Sequence, residues 1–227
     1  MFVDDRPLGA AVEDYTKAVY ALQSRGDVAV TTNALAERIG VSPASASAMV
    51  KKLDGLGIVT HEPYHGVRLT PAGEKVALEV LRHHRLLELY LTQELGVPWH
   101  EVHQEAEVLE HVISEELEAR IAAKLGDPLV DPHGDPIPTL AGQVDEGATD
   151  SLDALEPGAQ GTFSRVSDSD PEMLRYLDER GIRPGDRFVV VEKQPFDGPT
   201  FARFGTGTEV HVLGGDLARA MRVERDA

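Results

Sequence analysis

The sequence predicts a protein that is mainly α-helical and carries a small β domain at its C-terminal end. Three observations predict this fold class. Apolar residues recur at helical spacing in residues 1–75, a longer helical pattern occupies residues 70–140, and short apolar runs separated by turns follow residue 158. A chain of 227 residues has room for more than one compact domain.

The composition is that of a globular protein with no membrane-embedded part. Hydrophobic residues make up 41% of the chain and charged residues 27%, and no apolar run reaches membrane-spanning length. The first residues lack the basic-then-apolar order of a secretion signal. There is no cysteine, which excludes disulfides and thiolate ligands. We therefore expect a reducing, cytoplasmic setting.

The net charge of −17 is distributed unevenly. Residues 1–75 hold 8 Lys or Arg against 9 Asp or Glu, whereas residues 76–227 hold 14 against 30. The first segment is nearly neutral, so the overall negative charge does not exclude its binding to a polyanion such as DNA.

The first segment has the pattern of a DNA-binding module. It predicts helices over residues 12–23, 32–39 and 42–56, followed by β-type runs at residues 58–61 and 67–69. Gly40 and Gly57 end the second and third helices, Ser42 with Pro43 begins the third, and Tyr64 falls in the turn between the strands. The sequence thus predicts a winged helix-turn-helix.

The third helix carries almost only alanine and serine before a pair of lysines. Small side chains let a helix enter the major groove deeply, and cations contact phosphates. The predicted DNA-binding residues are Ser42, Ala44, Ser45, Ser47, Lys51, Lys52 and Arg68. A simple packing surface is the alternative. No Arg, Asn or Gln on this helix is placed for bidentate base contacts, so shape and phosphate contacts should carry much of the specificity.

The middle region has residues suited to metal binding. Four potential ligands fall within one short segment, namely His103, Glu107, Glu110 and His111. On one continuous helix over 98–125 they would share an arc of about 100°. His84 and Glu88 stand one turn apart on the preceding helix, which should form an antiparallel hairpin with this one. Imidazole and carboxylate suit hard or borderline divalent ions. A solvated acidic face is the alternative.

The last third of the chain predicts a small barrel. Prolines make residues 127–138 a loop, and the acidic stretch of residues 141–157 is expected to be a mobile linker. Five short strands and one helix over residues 171–181 follow. Asp168, Asp170 and Glu172 form an acidic patch at the start of that helix, where Asp170 could ligate a metal or cap the helix.

Two other classes of protein remain open at this point. Carboxylate and histidine clusters on helices also build di-iron enzymes, but the Glu-x-x-His pair on two helices is missing here. A regulator that binds DNA without metal would have the same first segment.

These motifs together resemble the metal-dependent repressors of the diphtheria toxin repressor family, over essentially the whole chain. The matching motifs are Glu13-Asp14-Tyr15, Val41-Ser-Pro-Ala-Ser45, His83-His84-Arg85-Leu86, Val102-His103 with Glu107, Glu110 and His111, and Asp135-Pro-Ile-Pro138. The resemblance implies a cytoplasmic homodimer that represses metal-homeostasis genes by binding double-stranded operator DNA when loaded with metal. It implies no enzymatic activity, no organic substrate and no membrane partner.

The resemblance also implies a domain division and two metal sites. The domains are a winged helix-turn-helix at 1–73, a helical metal-binding and dimerisation domain at 74–140, a linker at 141–157 and an SH3-like domain at 158–227. The primary site would use Asp14, Glu107, Glu110 and His111. The ancillary site would use His84, Glu88 and His103, with Asp170 and Glu172 as candidate oxygen ligands.

The ligand types implied by the resemblance favour manganese. Iron-sensing members carry Met and Cys where this chain has Asp14 and Glu107, and hard carboxylates shift preference toward Mn²⁺. Fe²⁺ is the alternative, and Co²⁺ or Zn²⁺ are expected to substitute in vitro. The best-known manganese-sensing type has Glu where this chain has Lys17 and lacks the third domain. The expected arrangement is therefore manganese-type ligands within an iron-type architecture.

Overall fold

A computed structural model of the chain describes residues 2–3, 6–24, 29–62 and 65–226. The helices are α1 Ala10–Gln23, α2 Thr32–Ile39, α3 Pro43–Gly55, α4 Pro71–Leu95, α5 Val102–Leu109, α6 Glu115–Lys124, α7 Pro171–Asp178 and α8 Gly215–Ala220. The strands are β1 Phe2–Val3, β2 Arg6–Pro7, β3 Val59–Glu62, β4 Gly66–Leu69, β5 Asp150–Ser151, β6 Gln160–Val166, β7 Arg187–Lys193, β8 Thr200–Phe204, β9 His211–Leu213 and β10 Met221–Arg225. The predicted fold class is confirmed.

The chain folds into two compact units, each built from separate stretches of sequence. Unit 1 consists of Met1–His84, Val108–Ser114 and Pro138–Gln143, and unit 2 consists of Arg85–Glu107, Glu115–Ile137 and Val144–Ala227. The domain boundaries expected from the sequence stay predictions, since these units interleave along the chain. None of the described helices is both long and apolar enough to cross a bilayer.

Unit 1 contains the helix-turn-helix. The Thr31 hydroxyl caps α2 by accepting the N–H of Ala34 at 3.1 Å, and Gly40 ends α2 in a left-handed conformation with φ of 76°. Ser42 then caps α3 by accepting the N–H of Ser45, with Pro43 in the first turn. The apolar sides of α1, α2 and α3 close over one core, which fixes α3 relative to α1.

The wing of unit 1 is the hairpin of β3 and β4, which pair antiparallel. The turn residue Tyr64 lies outside the described residues. Val30 forms a bridge with Val67 on β4, and the hydroxyl of Thr70 donates to the carbonyl of Gly57. These contacts attach the wing to the same core as the three helices.

Unit 2 contains a six-stranded antiparallel sheet with the order β5-β10-β6-β7-β8-β9. The sequence predicted only five strands and missed both β5 and α8. β5 and a 3₁₀ helix at Leu152–Ala154 lie inside the segment expected to be a mobile linker, and Leu152 and Leu155 are buried in the sheet's core. The expectation of a linker over 141–157 is therefore wrong for residues 150–155.

The proline-containing loop of unit 2 packs against β6. The N–H of Val166 donates to the carbonyl of His133 at 3.0 Å. A Cβ atom placed on Gly134 would lie 2.0 Å from the carbonyl oxygen of Ser164, so only glycine allows this approach. The guanidinium of Arg85 donates to the carbonyl of Pro136.

The helix predicted over residues 98–125 is two helices. α5 ends at Leu109 and α6 begins at Glu115, so Glu110 and His111 lie in a turn instead of on a helical face. Val112 and Ile113 continue the apolar spacing, which concealed the break. Ser114 followed by two glutamates at the start of α6 is the signal of a new helix start that the sequence analysis missed.

Candidate metal centre

Three predicted primary ligands meet in unit 1. Asp14 comes from α1, and Glu110 and His111 come from the turn after α5; one ligand atom from each lies within 4.8 Å of the others. The Nε2 atom of His111 is 2.8 Å from Oδ1 of Asp14 and 3.5 Å from Oε1 of Glu110. Residues almost a hundred positions apart are thus gathered at the inner face of α1.

Four further polar side chains surround this group. Oε2 of Glu13 lies 2.6 Å from Nδ1 of His111. Nζ of Lys17 lies 2.6 Å from one carboxylate oxygen of Glu110, and Nδ1 of His84 lies 2.5 Å from the other. Nδ1 of His83 is 3.3 Å from the backbone oxygen of Glu110. Glu13 was not among the predicted site residues, although it lies next to the predicted ligand Asp14 on α1.

The electrostatics favour an ionised Glu110. Burial alone would raise the pKa of this carboxyl, but the hydrogen bond with His84 and the positive charge of Lys17 outweigh burial, so its pKa is lowered from the ordinary value. Asp14, Glu110 and His111 offer only oxygen and imidazole nitrogen. This donor set suits a hard or borderline divalent cation.

A second group of potential ligands lies in unit 2. Glu88 on α4, His103 on α5 and Asp168 after β6 converge: Nδ1 of His103 is 3.3 Å from Glu88 and 2.9 Å from Asp168. Hydrogen bonds to Asp168 and Glu88 raise the pKa of His103 to about 10. Glu107 is placed in unit 2, where its carboxylate is 3.8 Å from Nε2 of His103.

Glu88 also takes part in a fully buried group with Asp131 and His133. Nδ1 of His133 is 3.5 Å from Glu88, and Nε2 is 2.7 Å from the carbonyl oxygen of Trp99, on whose ring the imidazole is stacked. Burial lowers the pKa of His133, but the hydrogen bond and charge of Glu88 outweigh it and raise the pKa to about 9. Asp131 and His133 were not predicted as site residues, because the prolines of this segment predicted only a loop.

Asp170 and Glu172, the candidate oxygen ligands of the third domain, belong to none of these groups. The carboxylate of Asp170 caps α7 by accepting the N–H groups of Glu172 and Met173, and the side chain of Glu172 pairs with Arg175. Asp168, which the sequence placed in the same acidic patch, lies beside His103 instead. The capping alternative is therefore the one observed for Asp170.

The outer face of α3 presents most of the predicted DNA-binding residues. Exposed side chains there and on the wing are Ser42, Ala44, Ser45, Ser47, Lys51, Lys52 and Arg68. The hydroxyls of Ser42 and Ser45 lie 2.9 Å apart and bond each other, so part of their hydrogen-bonding capacity is used at the helix start. The outer face of α3 therefore carries small side chains first and two lysines in its C-terminal half.

Family models cover three successive parts of the chain. Residues 7–67 match the N-terminal DNA-binding domain of iron-dependent repressors, residues 70–139 match their metal-binding and dimerisation domain, and residues 151–225 match the FeoA domain. The chain is 31% identical to the diphtheria toxin repressor of Corynebacterium efficiens, over 94% of each chain. The chain belongs to the diphtheria toxin repressor family.

Other relatives within this family include both iron- and manganese-dependent proteins. The iron-dependent repressor IdeR of Mycobacterium tuberculosis is 31% identical, with 94% of this chain and 96% of that one covered. A solved manganese-dependent transcriptional repressor in complex with manganese has a TM-score of 0.88 and 44% identity, covering 94% of this chain and 99% of that one. The repressor ScaR with bound Zn²⁺ has a TM-score of 0.79 and 28% identity, covering 95% and 99%.

Membership of the diphtheria toxin repressor family decides the general activity. The protein is a metal-dependent DNA-binding transcriptional repressor. Its homologues are repressors, so the metalloenzyme alternative is rejected, and so is a regulator that does not need metal.

Proposed function

We propose that this repressor senses Mn²⁺ through a primary site formed by Asp14, Glu107, Glu110 and His111. The observation that carries the proposal is the convergence of Asp14 with Glu110 and His111 in unit 1, with oxygen and imidazole donors only. Glu107 is included on the family resemblance. A relative at 44% identity is a manganese-dependent repressor, which supports the choice of metal.

Lys17 supports a single ion at the primary site. Its ammonium is 2.6 Å from Glu110, and a fixed positive charge there opposes a second closely spaced cation. The ancillary site would consist of His84, Glu88 and His103, and Asp168 would be its oxygen ligand from the third domain in place of Asp170 and Glu172. Fe²⁺ remains the alternative metal, with Co²⁺ and Zn²⁺ as substitutes in vitro.

The mechanism follows from the position of α1. Asp14 lies on α1, and α1 shares a core with α2 and with α3, the predicted DNA-recognition helix. A divalent ion held by Asp14, Glu110 and His111 would supply positive charge that offsets the repulsion between the two carboxylates. Holding α1 to the turn after α5 would restrict the orientations of α3 and so reduce the entropy lost when DNA binds.

The proposed partners are a second copy of the chain and double-stranded operator DNA of metal-homeostasis genes, in the cytoplasm. Val108 and Val112 are 68% and 75% exposed, and such apolar side chains favour a homodimer contact. Ser45 and Ser47 on the outer face of α3 would reach bases or phosphates in the major groove. Lys51, Lys52 and Arg68 would contact phosphates.

A titration of operator binding with metal ions tests the proposal. The operator is first selected from random DNA in the presence of Mn²⁺, and binding is then measured with Mn²⁺, Fe²⁺, Co²⁺ or Zn²⁺ against a chelated control. Because oxygen and imidazole donors generally bind Mn²⁺ more weakly than Fe²⁺, Co²⁺ or Zn²⁺, the metals are compared by the extent of operator binding at saturating metal. We expect the largest extent with Mn²⁺ and no binding in the chelated control. A larger extent with Fe²⁺ than with Mn²⁺ would instead support the iron alternative.

A further inference from the structure

Glu13 is a buried carboxylate of α1 that the proposed ligand set does not use. It is only 5% exposed, and its Oε2 atom is 2.6 Å from Nδ1 of His111. The other ring nitrogen, Nε2, faces Asp14 at 2.8 Å and Glu110 at 3.5 Å. The imidazole thus has a single carboxylate at one nitrogen and the proposed ligand group at the other.

The position of Glu13 follows from helix geometry. Consecutive residues project about 100° apart around a helix, so neighbours on α1 can reach different edges of one ring. Glu13 reaches the Nδ1 edge of His111 and Asp14 reaches the Nε2 edge. Two adjacent acidic residues therefore hold the imidazole from both edges, and only one of them lies among the ligands.

The chemistry of imidazole gives this arrangement a consequence. A neutral imidazole binds a metal ion through the nitrogen that carries a lone pair, so its proton must be on the other nitrogen. An ionised carboxylate only accepts hydrogen bonds. With Glu13 at Nδ1, the tautomer protonated at Nδ1 keeps this bond and directs the lone pair of Nε2 toward Asp14 and Glu110.

We propose that Glu13 is a positioning residue of the primary metal site, which holds the proton of His111 on Nδ1 so that Nε2 binds the ion. The inference rests on the proposed function and adds to it the ligating atom and the residue that selects it. Carboxylates in this position typically strengthen metal binding by 10–100-fold. A pair that only tied α1 to the turn would affect stability and leave the choice of nitrogen unchanged.

The test measures Mn²⁺ affinity in the full chain from the spin-resonance signal of unbound Mn²⁺. The proteins are wild type, Glu13→Gln, His111→Ala, the double variant, and Glu37→Gln as a control at an exposed glutamate of α2. We expect Glu13→Gln to weaken binding about 10–100-fold and Glu37→Gln to leave it unchanged. In the His111→Ala background, Glu13→Gln should add little, because it acts through His111.

The outcomes separate this inference from the proposed function. If His111→Ala binds Mn²⁺ like wild type, the proposed primary site is wrong and the role of Glu13 is wrong with it. If His111→Ala weakens binding but Glu13→Gln does not, or if the two losses add in full, only the inference about Glu13 is overturned.

A second measurement needs no substitution and so does not depend on the folding of a variant. Nitrogen NMR of wild-type protein loaded with Zn²⁺, a diamagnetic probe, distinguishes the metal-bound from the protonated nitrogen of His111. We expect metal at Nε2 and a proton at Nδ1. Metal at Nδ1 would overturn the inference.

Discussion

Glu110 is the residue on which the polar contacts of unit 1 converge. A buried carboxylate is stable only when nearby charges and donors compensate for lost hydration. Lys17 and His84 provide this compensation at 2.6 and 2.5 Å, and the lowered pKa of Glu110 follows from them. The residue therefore stays ionised, which a metal ligand requires.

Asp14→Ala should remove metal-dependent operator binding and leave the fold intact. The Asp14 side chain is 39% exposed, so its loss opens no core cavity. The substitution does remove a proposed negatively charged oxygen ligand next to His111. We expect Mn²⁺ affinity to fall at least about tenfold. Gel-shift titrations with Mn²⁺ would show this, with Glu37→Ala as the control. A wild-type titration curve for Asp14→Ala would exclude Asp14 as a ligand.

For single residues, the sequence predicted which side chains belong to the site better than it predicted which side chains they contact. Asp14, Glu110 and His111 were predicted together and the structure places them together, although their role as ligands stays a prediction. Glu13 lies next to the predicted ligand Asp14, but its contact with His111 spans 98 residues. His133 contacts Trp99 and Glu88, which lie 34 and 45 positions away. No local pattern encodes contacts over such distances. Asp168 was predicted as part of an acidic patch but not as a ligand. A sequence does not distinguish an acidic residue that caps a helix from a neighbouring one that binds a metal.

Among the elements, the turn between α5 and α6 matters most for the site. A continuous helix would have placed Glu110 and His111 on the same cylinder as His103. The structure instead groups His103 with Glu88 and Asp168 in unit 2. Helical periodicity could predict the ligand segment but not this division, because apolar spacing continues through Val112 and Ile113 across the break.

Gly134→Ala tests the packing of the proline-containing loop on β6. Gly134 and Gly181 both have positive φ, of 87° and 64°, so alanine strains the backbone at each by about 1 kcal/mol. Only at Gly134 would the new Cβ meet backbone, 2.0 Å from the oxygen of Ser164. We expect the free energy of unfolding in denaturant to fall by about 1–3 kcal/mol more for Gly134→Ala than for Gly181→Ala. Equal losses would show that the loop can move off β6.

Most helices and strands could be predicted because caps and periodicity are local. Gly40, Ser42 and Pro43 marked the turn and the start of α3 correctly. β5 and α8 were missed since a two-residue strand and a six-residue helix are too short for a period to be recognised. Leu152 and Leu155 are buried by residues far along the chain, so composition alone suggested a linker there.

For the whole molecule, metal binding and DNA binding must influence each other equally. If Mn²⁺ strengthens operator binding, operator DNA must strengthen Mn²⁺ binding by the same factor, typically 5–150-fold or about 1–3 kcal/mol. Measuring Mn²⁺ affinity with operator DNA, with unrelated DNA and without DNA checks this. An affinity unaffected by operator DNA would contradict coupling between the two sites.

The distribution of charge in the molecule suits this arrangement. The nearly neutral first 75 residues include α3 and the wing, while most of the net charge of −17 lies in the remainder. The acidic remainder of the chain repels DNA phosphates, whereas the cations of α3 and the wing attract them.

The stacking of Trp99 on His133 has a practical consequence. Trp99 is the only tryptophan of the chain, and its indole is 4% exposed, with the guanidinium of Arg183 on the ring at 4.2 Å. Indole emission depends on the polarity around the ring, so the fluorescence spectrum of the unlabelled protein reports on a single place. Exposure of the Trp99 indole to water would move the emission to longer wavelength. Opening of the interior of unit 2 could therefore be followed in solution without a dye.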